Sequence, residues 1–286
     1  MSVSRVLCVV GAGTMGGQIA HQAALHGCDV RLVSRKAERL ETAMRDGAGL
    51  LRRRVEKGKL AEADLDAALA RITPFTDPGP ALTGARVVIE TVVEDRDAKR
   101  EVLERICQHV EDDVMIGTNS STLPSSLLAA YVTRPERFLN MHFFNPPLMM
   151  PLVEVVKGPH TAEATVNAAL DFAESIGKTP VLVRRETYGF IVNRILFIAM
   201  QEAFRLVEEG FVSIEDCDIA VRNGLGWPMG VFELADLVGL DVVESILAEG
   251  LAQTGEARWA PPAILHEHVA RGELGRKTGQ GFIGER

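Results

Sequence analysis

The feature that most constrains this chain is the run VLCVVGAGTMGGQIA at residues 6–20. Its first five residues are apolar and mostly β-branched, and they read as a buried strand. Gly11, Gly13 and Gly16 follow at once with the spacing G-x-G-x-x-G, and residues 19–25 continue with helical character. A second apolar run comes at 30–33. Strand, glycine turn, helix, strand is the setting in which that glycine spacing holds a dinucleotide. Without side chains the glycines let the backbone approach a pyrophosphate, and the helix N-terminus offers its N–H groups. The loop Gly11, Gly13, Thr14, Met15 and Gly16 is therefore read as a cofactor cradle in preference to a bare tight turn.

Further apolar runs predict strands at 86–90 (RVVIE), 114–117 (VMIG), 138–141 (FLNM), 152–156 (LVEVV) and 181–183 (VLV), with helical segments at 98–110 and 161–176. Strands alternating with helices imply a mostly parallel sheet covered on both faces. After Arg185 the character changes: 190–207 is a long apolar helix, with more helices and no convincing strand behind it. The expected fold is α/β, a Rossmann-type doubly wound, mostly parallel sheet (1–185) followed by a smaller all-helical domain (186–286). The boundary falls at Arg184–Thr187.

Bulk properties exclude several classes. A formal charge of −8 argues against nucleic acid or an anionic membrane as the main partner. The longest apolar stretch, 195–200, lies between Arg194 and Glu202 and is far too short to span a bilayer. Four cysteines lie far apart with no CxxC pair, which reads as thiols in a reducing compartment, with no disulfide frame and no metal site. The chain reaches its glycine turn without a signal peptide. A soluble cytoplasmic protein is expected.

In a parallel sheet, ligands bind beyond the carboxyl ends of the strands. The unusual polar residues collect there: Gly11 and Ser34 after the first two strands, Glu94 after the third run, Asn119, Ser120 and Ser121 after VMIG, and His142 after FLNM. Each has a local explanation, since serine and asparagine cap helices and a histidine among MHFFNPP is commonly a core residue. Their common address is harder to explain that way. Glu154 is the only charge in PLVEVV, and a buried carboxylate is costly unless paired. Twelve residues separate it from His142, enough for a turn and a neighbouring strand. A His142–Glu154 pair would satisfy both, fixing the imidazole tautomer and stabilising its protonated form. In the helical domain Asn193 shares a helix face with Phe197 and Met200; buried there it needs a partner, structural or at a ligand. The basic run LLRRRVEKGK (50–59) reads on its own as a solvated helix face. Met149 and Met150 read as packing or as the wall of an acyl pocket.

Taken together, VVGAGTMGGQIA, IETVVEDRDAKREVL, GTNSSTL, HFFNPP with LVEVV, GFIVNR, WPMGVFELADLVGLD and LGRKTGQGF resemble the short-chain L-3-hydroxyacyl-CoA dehydrogenase family over essentially the whole chain. The resemblance implies His142 as the catalytic base, Glu154 as its orienting partner, Ser121 as a hydrogen-bond donor to the substrate oxygen and Asn193 at the active site. It implies Glu94 and Lys99 as nicotinamide-side contacts, with Asn119 beside them. It also implies Arg53 and Lys57 as a seat for the coenzyme A phosphates, a place in fatty-acid metabolism, and a homodimer made by the second domain. Rival readings are the same chemistry on a carrier-protein-bound acyl group or on a hydroxy or sugar acid, or a non-catalytic dinucleotide-binding protein. The chain departs from the family at Tyr188, where proline is usual, at Thr122, where serine is common, and at Ser34, where NAD-using members carry an acid. An acid there would accept from the ribose 2′-OH and repel a 2′-phosphate. Ser34 followed by Arg35 and Lys36 therefore favours NADP(H), with NAD(H) as the alternative.

Overall fold

β1 (Val6–Val10) is the strand from which the first unit is built, and its alternation assigns the two faces of the sheet. Leu7 and Val9 join one core with Val30, Leu32, Ile89 and Val153, under helices that supply Ile19, Ala23, Val166 and Ala173. Cys8 and Val10 join the opposite core with Val88, Ile116, Leu103 and Phe138. Such a sheet, buried on both sides, needs near-continuous apolar strands, and these runs supply them.

The structure, a computed structural model, describes residues 6–283. The chain folds as two compact units, one ending at Thr187 and the other beginning at Tyr188. In the first unit β1 is followed by α1 (Thr14–Leu25), β2 (Asp29–Val33), α2 (Ala37–Glu56), α3 (Glu62–Ala70), β3 (Ile72–Phe75), α4 (Pro78–Leu82) and β4 (Val87–Glu90). Next come α5 (Arg96–Cys107), β5 (Met115–Thr118), α6 (Ser125–Leu128), β6 (Phe138–Phe143), β7 (Leu152–Val156), α7 (Glu163–Ser175) and β8 (Thr179–Val183). The strands form one sheet in the order β3-β2-β1-β4-β5-β6-β7-β8. β6 and β7 pair antiparallel and the other neighbours are parallel. The chain thus winds outward from β1 in both directions, which opens a crevice at the carboxyl end of β1.

Three sequence expectations change. β3 is an additional strand: it is short and carries Pro74, which is tolerated because β3 is an edge strand. β6 extends through His142 to Phe143, so His142 lies inside the strand and not after it. The basic run is not one helix, because α2 stops at Glu56 with Lys57 as its C-cap, and Gly58 turns away at φ 64°.

The second unit is helical: α8 (Val192–Glu208), α9 (Ile214–Leu225), α10 (Val231–Val238), α11 (Leu240–Thr254) and α12 (Ala263–Ala270). Its core holds Phe197, Met200, Leu247 and Trp259, and the rings of Phe204, Phe232 and Phe282 meet one another with centroids 5.0–5.3 Å apart. Among the described residues no helix is long and apolar enough to cross a membrane.

Candidate active site

The glycine loop lies at the crevice. Gly11 adopts φ 119°, and a Cβ there would come within 2.7–2.8 Å of Thr91. At Gly16 a Cβ would fall 1.9 Å from the Gly11 carbonyl oxygen. Both glycines are thus required by close packing of the loop on itself and on Thr91. Gly13 differs, since a Cβ there would meet nothing within 4 Å. It caps α1 without any side-chain hydrogen bond, and no acid occupies the first turn. Open space over an unneutralised helix N-terminus suits an anionic group, so the loop fits the pyrophosphate of a dinucleotide. Thr14 opens α1 exposed, and Met15 packs partly against the core. Across the crevice Ser34 follows β2, its hydroxyl accepting from the Lys36 amide at 3.4 Å. Arg35 is exposed and pairs with Glu101 at 3.6 Å.

Four strands along, β6 and β7 bring His142 directly opposite Glu154 in the antiparallel ladder. His142 Nδ1 and Glu154 Oε2 are 2.8 Å apart. Both residues are buried, at 6% and 0% exposure, so the carboxylate is shielded from water and charge-assisted bonding to the ring is strong. A carboxylate accepts, so Nδ1 carries the proton and Nε2 carries the lone pair. The Phe144 ring lies 4.5 Å from the imidazole.

The loop bearing Ser121 is held from three sides. Glu94 Oε1 accepts from the Ser121 and Thr122 amides, both at 2.9 Å, from the Thr122 hydroxyl at 2.9 Å, and from the Ser120 hydroxyl. Asn140, on the same face of β6 as His142, donates to the carbonyls of Ser120 and Leu123 and accepts from the Ser125 amide at 2.7 Å. Glu186 accepts from the Ser125 hydroxyl and the Ser126 amide at 2.7 and 2.9 Å. Asn119 accepts from the Phe143 amide at 2.9 Å, tying this loop to the end of the histidine strand. The residues expected together by sequence, Asn119, Ser121, Glu94, His142 and Glu154, belong to this one network or lie beside it.

Lys99, expected as a cofactor contact, stands behind Glu94. Its ammonium is buried, 3.0 Å from both oxygens of Glu90 and 3.3 Å from Glu94. Thr118 donates to Glu90 at 2.6 Å, so the buried acid is saturated. Burial alone would raise the Glu94 carboxyl; Lys99 and the donors of Ser120 and Thr122 outweigh it and hold the group below its ordinary value. Glu90, Asn140 and Glu186 escaped the sequence reading. Glu90 in RVVIE carried the same signal as Glu154, a lone acid in an apolar strand.

The turn between β6 and β7 is fastened by Gln18 of α1, which accepts from the Leu148 amide at 3.2 Å. Lys178 also fastens it, donating to the carbonyls of Pro147 and Met150. Burial, with help from Arg54, lowers the Lys178 ammonium to about 8. Met149 is 72% exposed and is not a packing residue. Arg53 and Lys57 are exposed at the end of α2. In the second unit Asn193 sits in the first turn of α8; it is half-buried, not buried as expected, whereas Phe197 and Met200 on the same face are enclosed.

Two family models match the chain end to end: the NAD binding domain of 3-hydroxyacyl-CoA dehydrogenase over residues 6–187, and the C-terminal domain of the same enzymes over 189–285. The chain belongs to the 3-hydroxyacyl-CoA dehydrogenase family. It is 39% identical over 284 residues to a 3-hydroxybutyryl-CoA dehydrogenase of Bradyrhizobium diazoefficiens, covering 98% of this chain and 95% of that one. A Mycobacterium tuberculosis 3-hydroxybutyryl-CoA dehydrogenase is 40% identical over 276 residues, 96% of each chain. The solved (S)-3-hydroxybutyryl-CoA dehydrogenase of Ralstonia eutropha superposes with a TM-score of 0.95 at 36% identity, over 99% of this chain and 100% of that one.

Proposed function

We propose that the protein interconverts a 3-hydroxyacyl-CoA and the 3-oxoacyl-CoA, acting on short acyl groups in fatty-acid metabolism in the cytoplasm, with His142 as the proton relay. The observation that carries this reading is the buried His142–Glu154 pair on the sheet that also bears the glycine cradle. Bound at the cradle, a nicotinamide dinucleotide supplies the hydride chemistry. In oxidation His142 Nε2 takes the proton of the C3 hydroxyl, and Glu154 stabilises the imidazolium that forms. In reduction the imidazolium returns that proton to the C3 oxygen. Ser121 donates to this oxygen, its loop held by Glu94 and Asn140. Apolar neighbours such as Phe144 keep water from the reacting carbon. Arg53 and Lys57 meet the anionic phosphates of coenzyme A.

The cofactor preference we assign is NADP(H) over NAD(H). Ser34 supports it, because a small hydroxyl leaves room for a 2′-phosphate that an acid would repel, and Arg35 beside it is exposed and weakly engaged. The second unit is read as the dimerising one, supported by the exposed apolar side chains of Ile195, Phe211 and Leu225. Turnover of acetoacetyl-CoA with NADPH and with NADH tests the reaction and the preference together. Activity with either cofactor supports the reaction, and absence of both defeats it. A higher kcat/KM with NADH would defeat the NADP(H) assignment alone. Sedimentation of the purified chain tests the dimer.

A further inference from the structure

Sheet order puts β1 between β2 and β4. Arg35 leaves the carboxyl end of β2, and α5 follows β4. A contact between them therefore crosses the end of β1, over the crevice where the glycine loop begins. One such contact exists: Arg35 Nη1 lies 3.6 Å from Glu101 Oε1 on α5. The two side chains are 78% and 59% exposed. Neither makes another ion pair among the described residues, and the neighbouring Arg100 pairs with Asp97 instead. A pair this open to water is loosely held. The guanidinium is thus already turned toward an anion, and the anion is a carboxylate of the protein itself.

We propose that Glu101 is a specificity-determining residue: its carboxylate engages Arg35 across the adenosine crevice and competes with a cofactor 2′-phosphate for that guanidinium. The inference rests on the NADP(H) reading. A nucleotide bearing the 2′-phosphate displaces Glu101 from Arg35 and remains near its negative charge. A nucleotide with a plain 2′-hydroxyl gains nothing from Arg35 as a phosphate partner, and Glu101 costs it little. Glu101 therefore narrows the preference for the phosphorylated cofactor without touching the reacting atoms.

Calorimetric binding of 2′,5′-ADP and of 5′-AMP to the full chain separates these effects, because the two probes differ only in the 2′-phosphate. The variants are Glu101→Gln, Arg35→Ile and both together, at low ionic strength where exposed pairs are least screened. Glu101→Gln should tighten 2′,5′-ADP about 2–5-fold, the scale of one exposed ion pair, and leave 5′-AMP within ~1.5-fold. In the Arg35→Ile background that gain should largely disappear. If wild type prefers 2′,5′-ADP but Glu101→Gln leaves its affinity unchanged, the role of Glu101 is wrong and the cofactor reading stands. An equal gain with and without Arg35 overturns the role too, since it would reflect bulk charge alone. A wild type that binds 5′-AMP at least as tightly defeats the NADP(H) reading and the inference with it.

Discussion

His142 and Glu154 occupy facing positions of β6 and β7, the antiparallel pair in an otherwise parallel sheet. Residues paired across a ladder leave the same face of the sheet side by side, and this pairing sets Nδ1 and Oε2 2.8 Å apart. His142→Gln should fold normally and lose turnover by roughly 10²–10⁴-fold, the usual worth of general acid–base assistance. Glu154→Gln should also lose turnover. The double variant should lose less than the product of the single losses, because the pair acts as a unit. Near wild-type turnover in His142→Gln, with an unchanged circular dichroism spectrum, would return the histidine to the core.

The Glu94 clamp makes a prediction in acid. Its carboxyl is held below the ordinary 4.5 by Lys99, Ser120 and Thr122, against the opposing effect of burial. A depressed carboxyl contributes its full stability above the unfolded value and loses it as pH falls through the folded one. The melting-temperature gap between wild type and Glu94→Gln should therefore be level above about pH 5 and shrink below about pH 4. A gap that stays constant down to pH 3 would mean that ionisation of Glu94 is not what holds the loop.

Much of this site was legible because its signals were local. LVEVV is a strand with one charge, and VLCVVGAGTMG states both a strand and its turn. What escaped depended on partners distant in sequence. Asn140 reads as an ordinary polar residue in FLNM until the loop at 120–125 folds over it. Glu186 has no meaning in RRETY without Ser125, 61 residues earlier. β3 is four residues with a proline, and pairing with β2 makes it a strand where local propensity does not. The end of α2 escaped because charged residues carry no apolar periodicity; only Gly58 marks where the chain turns.

Tyr188 has a structural role in the second unit. Its hydroxyl donates to the Ile246 carbonyl at 2.7 Å, and its ring meets Trp259 edge-on at 4.9 Å. Gly250 makes room for both: a Cβ there would come within 2.7–2.8 Å of the two rings. Tyr188→Phe should cost about 0.5–1.5 kcal/mol, the worth of one hydrogen bond. Gly250→Ala should cost about 1–3 kcal/mol through overpacking. Urea unfolding measures both, and a Gly250→Ala variant as stable as wild type would show that the rings give way without cost.

The basic segment separates the coenzyme A handle from the fold. Arg53 lies in the last turn of α2 and Lys57 caps it, so both cations also sit favourably at a helix C-terminus. Reversing both to glutamate therefore acts on stability as well as on any phosphate. Neutral Arg53→Gln with Lys57→Gln is the cleaner variant, since glutamine adds no repulsion at the helix end. If these cations meet coenzyme A, the neutral pair should raise the KM for acetoacetyl-CoA about tenfold, the scale of two exposed ion pairs at ~0.7 kcal/mol each. The KM for the N-acetylcysteamine thioester, which lacks the nucleotide, should stay unchanged, as should kcat for both. Added salt should erase most of the difference between wild type and variant for the coenzyme A thioester, because exposed charges are screened within about 8–10 Å at moderate ionic strength. Equal rises in KM for the two thioesters would mean that Arg53 and Lys57 only finish a helix.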